Sequence, residues 1–152
     1  MHKSLIEEVT NETLLEEYSR RFGMAPGDPF NTAQQVARHL QGLLGGARRE
    51  TFAVLYLTRK NVLIDTEVLF EGTVNQAAVF PREVVRSALL KDAAGVICAH
   101  NHPSGHVKPS VDDIEITRKL KGALKLLDIE LLDHVIIGDG YFSFADSGIL
   151  DA

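Results

Sequence analysis

The sequence predicts an α/β domain: a mixed β-sheet flanked by helices, with a short helical extension at its N-terminus. Three observations lead there. The apolar spacing switches between the helical period and the strand period along the chain, and elements of the two kinds alternate. At least one pair of strands is separated by a turn too short for a crossover, so hairpins are present. The chain has 152 residues, 45% hydrophobic and 24% charged, which suits one domain with its own core.

The first helix is expected over Ser4 to Phe22, with Leu5, Val9, Leu15, Tyr18 and Phe22 near one face. Ser4 and Glu7 have the form of a capping box, and Thr10-Asn11 marks a break. Gly23, Pro26, Gly27, Asp28 and Pro29 make the clearest linker. Residues 1–30 are therefore read as an extension with its linker, and 31–152 as the main domain. A second helix starts at Asn31 or Thr32, buries Val36, Leu40, Leu43 and Leu44, and stops at Gly45-Gly46.

Thr51 to Thr58 is apolar on both alternating faces, the pattern of a strand covered on both sides. Arg59-Lys60-Asn61 turns the chain into a second strand, Val62 to Phe70. Pro81 opens a helix carrying Val84, Val85, Ala88 and Leu89. Gly95 to His100 is a short apolar strand, followed by the polar loop Asn101 to Pro109. A helix over Ser110 to about Leu127 buries Ile114, Leu120, Leu124 and Leu127. Glu130 to Ile137 and Tyr141 to Ala145 are the closing strands around Asp139-Gly140.

Composition narrows the function. The net charge of −5 disfavours a protein whose task is to grip nucleic acid, so direct nucleic-acid binding is not expected. No apolar run approaches the ~20 residues of a membrane span, and Met1 to Glu8 lacks a signal peptide's apolar stretch. One cysteine, Cys98, makes no internal disulfide and no cysteine-rich zinc module, and the cytoplasm is the expected compartment. A His-Glu-x-x-His zincin motif, the Pro-Cys-x-x-Cys of zinc deaminases and nucleotide-binding glycine loops are absent.

The stretch from His100 to Asp113 carries the chemistry. His100 and His102 are two residues apart at the end of a strand, so both imidazoles face one side. Two neutral imidazoles converging on a point suit zinc. Asp113, in the first turn of the next helix, offers a carboxylate oxygen, and three protein ligands leave an open position. Each residue also has a plainer reading. Paired histidines in a polar loop are often solvated, and Ser110-x-x-Asp113 has the form of a helix cap. His106 and Asp112 are rival ligands. Asp133-His134 lies in an apolar strand and reads as a hydrogen-bonded core or edge pair rather than a second metal site. Cys98 reads as a small buried apolar residue.

His-x-His, seven residues, then Ser-x-x-Asp resembles the signature of the JAB/MPN (JAMM) metalloproteases. The longer form, HNHPSG followed by PS and then D, resembles the RadC family, the bacterial branch of that group. Similar blocks are Leu69-Phe70-Glu71-Gly72-Thr73, Phe80-Pro81-Arg82-Glu83 and Leu132 to Gly138, and the resemblance covers roughly residues 31 to 150. It implies a JAB/MPN-like α/β/α fold with zinc held by His100, His102 and Asp113 and water in the fourth place. Ser110 would hydrogen-bond that water or the developing oxyanion, and an upstream glutamate would act as general base. Glu50 is favoured over Glu67 and Glu71 because it directly precedes the apolar strand in ETFAVLYL. The glycines frequent in that strand of eukaryotic relatives are missing here.

The expected activity is hydrolysis of a peptide or isopeptide bond in a peptide or protein substrate. The alternative is a non-catalytic or DNA-repair-associated module. Longer relatives place a helix-hairpin-helix region before the domain; the first thirty residues here are too short for it. The apolar face of the N-terminal helix packs on its own domain or on a partner, a homodimer being one reading.

Overall fold

Burial on both faces makes Thr51–Leu57 (β1) the strand around which the layers assemble: all of its residues are buried. The computed structural model describes residues 8–72 and 81–151. Leu63–Glu71 (β2) returns antiparallel to β1. Gly95–Asn101 (β3) lies antiparallel on the other side of β1, and Glu130–Ile137 (β4) runs parallel to β3. Tyr141–Ser143 (β5) closes the far edge antiparallel to β4. The order β2-β1-β3-β4-β5 is a mixed five-stranded sheet, as the sequence predicts.

Among the described residues, two helices precede β1: Asn11–Phe22 (α1) and Ala33–Leu44 (α2). Pro81–Leu90 (α3) follows β2, and Val111–Lys125 (α4) follows β3. Val36, Ala37, Leu40 and Leu44 of α2 pack with Ala53, Leu55, Leu57, Ile97 and Ala99 on one face. Val84 and Ala88 of α3, with Ile116, Leu120 and Leu124 of α4, pack on Phe52, Val54, Tyr56, Val96 and Cys98 on the other. The two cores follow from the strand period, since alternate residues of β1 and β3 go to opposite faces. Among the described residues, no helix is long and apolar enough to cross a membrane.

Several boundaries differ from expectation. Within the described residues, the expected N-terminal helix is present over Asn11–Phe22, where the Thr10 side chain accepts the Thr13 N–H and caps it. The Ser4–Glu7 pair lies outside the described residues. Thr32 and Gln35 form a reciprocal capping box that starts α2. The expected last strand stops at Ser143, and Phe144–Ser147 is a short helix (α5). Asp133 explains this: its carboxylate accepts the Ser143 hydroxyl at 2.5 Å and the Ala145 N–H at 3.0 Å. Ser143 in turn caps the Asp146 N–H. Leu43 and Leu89, expected inside, are exposed, and so is Leu127, which lies beyond the end of α4 at Lys125 rather than within the helix.

α1 docks on α2 through its C-terminal half. Arg38 donates to the carbonyls of Arg20 and Arg21 at 2.6 Å each, satisfying the end of α1. Tyr18, Phe22 and Phe30 surround His39, which is 3% exposed. Its Nδ1 has no hydrogen-bond partner among the described residues. Burial pushes the His39 pKa down to about 4 from 6.5. The unfolded chain therefore takes up this proton first as pH falls. Stability is full above the unfolded pKa and declines from about pH 6.5 toward pH 4. His39→Phe is expected to flatten that decline in denaturant titrations across this range. Parallel wild-type and mutant curves contradict the assignment.

Candidate metal centre

The β1–β3 register builds the centre. Phe52 pairs with His100, so one step further Thr51 lies opposite Asn101, and Glu50 comes opposite His102. Asn101 secures this end of the pairing. Its Oδ1 accepts the Thr51 N–H at 2.6 Å, and its Nδ2 donates to the Arg49 carbonyl at 3.0 Å. The residues on both sides of Glu50 are thus tied to the residue between the two histidines.

His102 follows directly on β3, and its N–H donates to the Ile137 carbonyl at 2.8 Å. Its Nδ1 lies 2.8 Å from the His106 carbonyl. A carbonyl only accepts, so Nδ1 carries the proton and Nε2 presents a lone pair. His106 therefore contributes its backbone and not its ring. The Nε2 atoms of His100 and His102 face each other at 2.9 Å.

Asp113 enters from the first turn of α4. Ser110 and Asp113 form a capping box: Ser110 N–H donates to Asp113 Oδ2 at 2.8 Å, and Asp113 N–H to Ser110 Oγ at 3.0 Å. The capping reading and the ligand reading are compatible. With Oδ2 engaged by the cap, Oδ1 still approaches His100 Nε2 at 3.3 Å, and Oδ2 lies 3.6 Å from His102 Nε2. Burial opposes ionisation of this carboxyl. The His100 contact and charge, with the Ser110 N–H, nevertheless hold it well below the usual carboxylate range.

Glu50 Oε1 stands 3.9 Å from each Nε2, further out than Asp113. One ligand atom each from Glu50, His100 and His102 fall within 4.8 Å of one another, a group able to hold a metal ion. The side chains of His100 and Asp113 are 0% and 2% exposed, whereas those of His102 and Glu50 are 17% and 23%. Solvent thus meets the cluster from the Glu50–His102 side.

The rival glutamates are placed elsewhere. Glu67 pairs across from Val54 and accepts from Tyr56 and Ser87, with Lys91 at 3.5 Å. Glu71 opposes Thr51 with an exposed side chain. Asp112 occupies the same turn as Asp113 and is half-buried. Cys98 is fully buried, and burial pushes its thiol up to about 12, so it behaves as an apolar filler.

Sequence reasoning gave no part at the centre to three residues around it, although it read His134 as a core or edge histidine. Asn101 clamps β1, and its signal was its place between the histidines. His134 is buried and lies beside His100, reached through the parallel register Cys98↔His134. It stacks on Phe144 with ring centroids 4.7 Å apart. Burial, then the charge of His100, keeps its pKa well below the usual value. Thr117, one turn after Asp113, lies against His134.

A backbone clamp holds the histidine loop. Asp139 N–H donates to the Gly105 carbonyl at 2.8 Å, and a Cβ at Gly138 would lie 2.3 Å from that oxygen. Gly138→Ala must push the loop and His102 outward. The expected result is a loss of divalent-metal affinity of about tenfold or more, read by chelator competition. An unchanged affinity means the clamp does not position His102.

Comparison with known proteins places the chain in a family. Residues 30–149 match the model of the RadC-like JAB domain. A UPF0758 protein of Janthinobacterium sp. (strain Marseille) is 46% identical over 144 residues, covering 94% of this chain and 62% of that protein. A UPF0758 protein of Vibrio atlanticus (strain LGP32) is 45% identical over 142 residues, 93% of this chain and 61% of its own length. One of Stenotrophomonas maltophilia (strain K279a) is 50% identical over 121 residues, 79% of this chain and 52% of its own length. The chain thus spans between about half and three-fifths of the length of these relatives. On the family match and these identities, the chain belongs to the RadC-like JAB domain family.

Proposed function

We propose that this domain is a zinc-dependent hydrolase of JAMM type that cleaves peptide or isopeptide bonds. One observation carries the reading: Asp113 and Glu50 converge on the facing Nε2 atoms of His100 and His102. Among the described residues neither carboxylate is paired with a lysine or arginine. A cluster of carboxylates and imidazole nitrogens without a basic partner is suited to a cation.

The donor set fits zinc. Two imidazole nitrogens and one carboxylate, from His100, His102 and Asp113, would hold it and leave one place open. Asp113 is preferred to Glu50 as the third ligand because it stands closer to both nitrogens and is anchored by the Ser110 cap. When bound, zinc lowers the pKa of a coordinated water to about 7 and polarises the scissile carbonyl.

The chain's own residues supply the rest. Glu50, on the accessible side, takes a proton from the attacking water and passes it to the leaving amine. Its partial exposure keeps it within reach of solvent protons. Ser110 Oγ accepts the Asp113 N–H, so its single proton is available to the oxygen on which charge develops. Such a donor is commonly worth ~3 kcal/mol in the transition state. The products are a carboxylate and an amine, with the water consumed. The substrate would be a peptide or protein, and the single buried thiol suits a cytoplasmic setting.

Elemental analysis of the wild type and His102→Ala, beside Glu50→Gln, tests the reading. We expect about one zinc per chain, lost in His102→Ala and kept in Glu50→Gln. With a pool of fluorescent peptides as probe, Glu50→Gln should cleave at least ~10²-fold more slowly. A wild-type rate in Glu50→Gln removes Glu50 from the mechanism; no zinc in the wild type removes the hydrolase reading.

A further inference from the structure

Behind the proposed metal centre lies a chain of buried polar contacts that the mechanism does not use. His100 Nδ1 is 2.8 Å from His134 Nε2. His134 Nδ1 is 2.6 Å from Thr117 Oγ1, and Thr117 Oγ1 donates to the Asp113 carbonyl at 2.6 Å. His100 and His134 are 0% exposed and Thr117 is 4% exposed, so water does not compete for these contacts.

A contact between two imidazoles has no inherent direction, because either ring nitrogen can donate. Thr117 supplies the direction. A hydroxyl has one proton, and a carbonyl has none, so the Thr117–Asp113 bond uses the Thr117 proton. It is the back-bond to the fourth preceding carbonyl that threonine commonly makes in a helix. Thr117 Oγ1 then meets His134 only as an acceptor, and His134 Nδ1 must donate. A neutral His134 thereby has a bare Nε2, which accepts from His100 Nδ1. His100 is left with Nε2 directed at His102 and Asp113.

We propose that His134 and Thr117 are positioning residues that keep a proton on His100 Nδ1, so that Nε2 is the atom His100 presents to the centre. They tie it to Asp113 through that residue's own carbonyl. The inference rests on the zinc reading for its functional value but not for its proton positions. Partners of this kind, accepting the N–H at the far nitrogen of a ligand histidine, are worth roughly 10–100-fold in metal affinity. His134 performs this duty as a neutral ring, which adds no further charge behind a centre that already holds Asp113 and Glu50.

The test is long-range ¹H–¹⁵N correlation of the imidazoles in the full chain, metal-free and zinc-loaded, with zinc affinity measured by chelator competition. In the wild type, His134 should carry its proton on Nδ1 in both states. Thr117→Val keeps the shape but removes the acceptor. His134 should then populate the Nε2–H form, and zinc affinity should fall about tenfold or more, with Thr117→Ser restoring both. Thr117→Val is chosen because His134→Phe disturbs the stack on Phe144 and threatens folding. An Nε2–H His134 in the wild type, or unchanged zinc affinity in Thr117→Val, overturns the proposal. If the wild type takes up no zinc, the hydrolase reading fails, and the metal-free spectrum still decides the relay.

Discussion

The pairing of Phe52 with His100 across antiparallel β1 and β3 is the constraint on which the candidate centre depends. Side chains alternate along a strand, so a slip of one residue would turn the histidines to the α2 face. Burial guards against the slip, since β1 and β3 are apolar on both faces and covered on both. Asn101 adds a polar lock at the open end. Its amide bonds on either side of Glu50 are buried or part-buried, and leaving them unmade would cost roughly 1–3 kcal/mol each. The same register thus serves both packing and chemistry, bringing the general-base candidate across from His102.

The second ligand element is fixed differently. Asp113 reaches the histidines because α4 begins at Ser110, and α4 begins there because Ser110 and Asp113 cap it reciprocally. Leu120 and Leu124 then bury the helix in the core it shares with α3 and β4. A residue that closes a helix end is held rigidly, which a metal ligand requires. Exposure grades across the cluster. His100 and Asp113 are its buried side, and His102 and Glu50 are its side toward solvent.

Much of this was legible in the residues, for physical reasons that can be named. The apolar run of β1, the Ser110 cap and the His-x-His spacing are local signals, and their consequences stay close in sequence. The family resemblance added Glu50, whose position opposite His102 emerges only from the strand register. What stayed hidden is long-range. His134 looked like a core histidine, and it is one, but the parallel pairing of β4 with β3 brings it beside His100. Asp133 looked like part of a strand, and its carboxylate ends the next strand by anchoring α5. Leu89 fits the helical period of α3 yet stays exposed, because periodicity does not tell how far a neighbouring layer extends.

Anomalous diffraction at the zinc edge, on crystals of the zinc-loaded protein, addresses the central claim most directly. The account predicts one peak at bonding distance, ~2.0–2.2 Å, from Nε2 of His100, Nε2 of His102 and a carboxylate oxygen of Asp113, with Glu50 outside that shell. A peak bonded by Glu50 in place of Asp113, or no peak between the histidines, would contradict it.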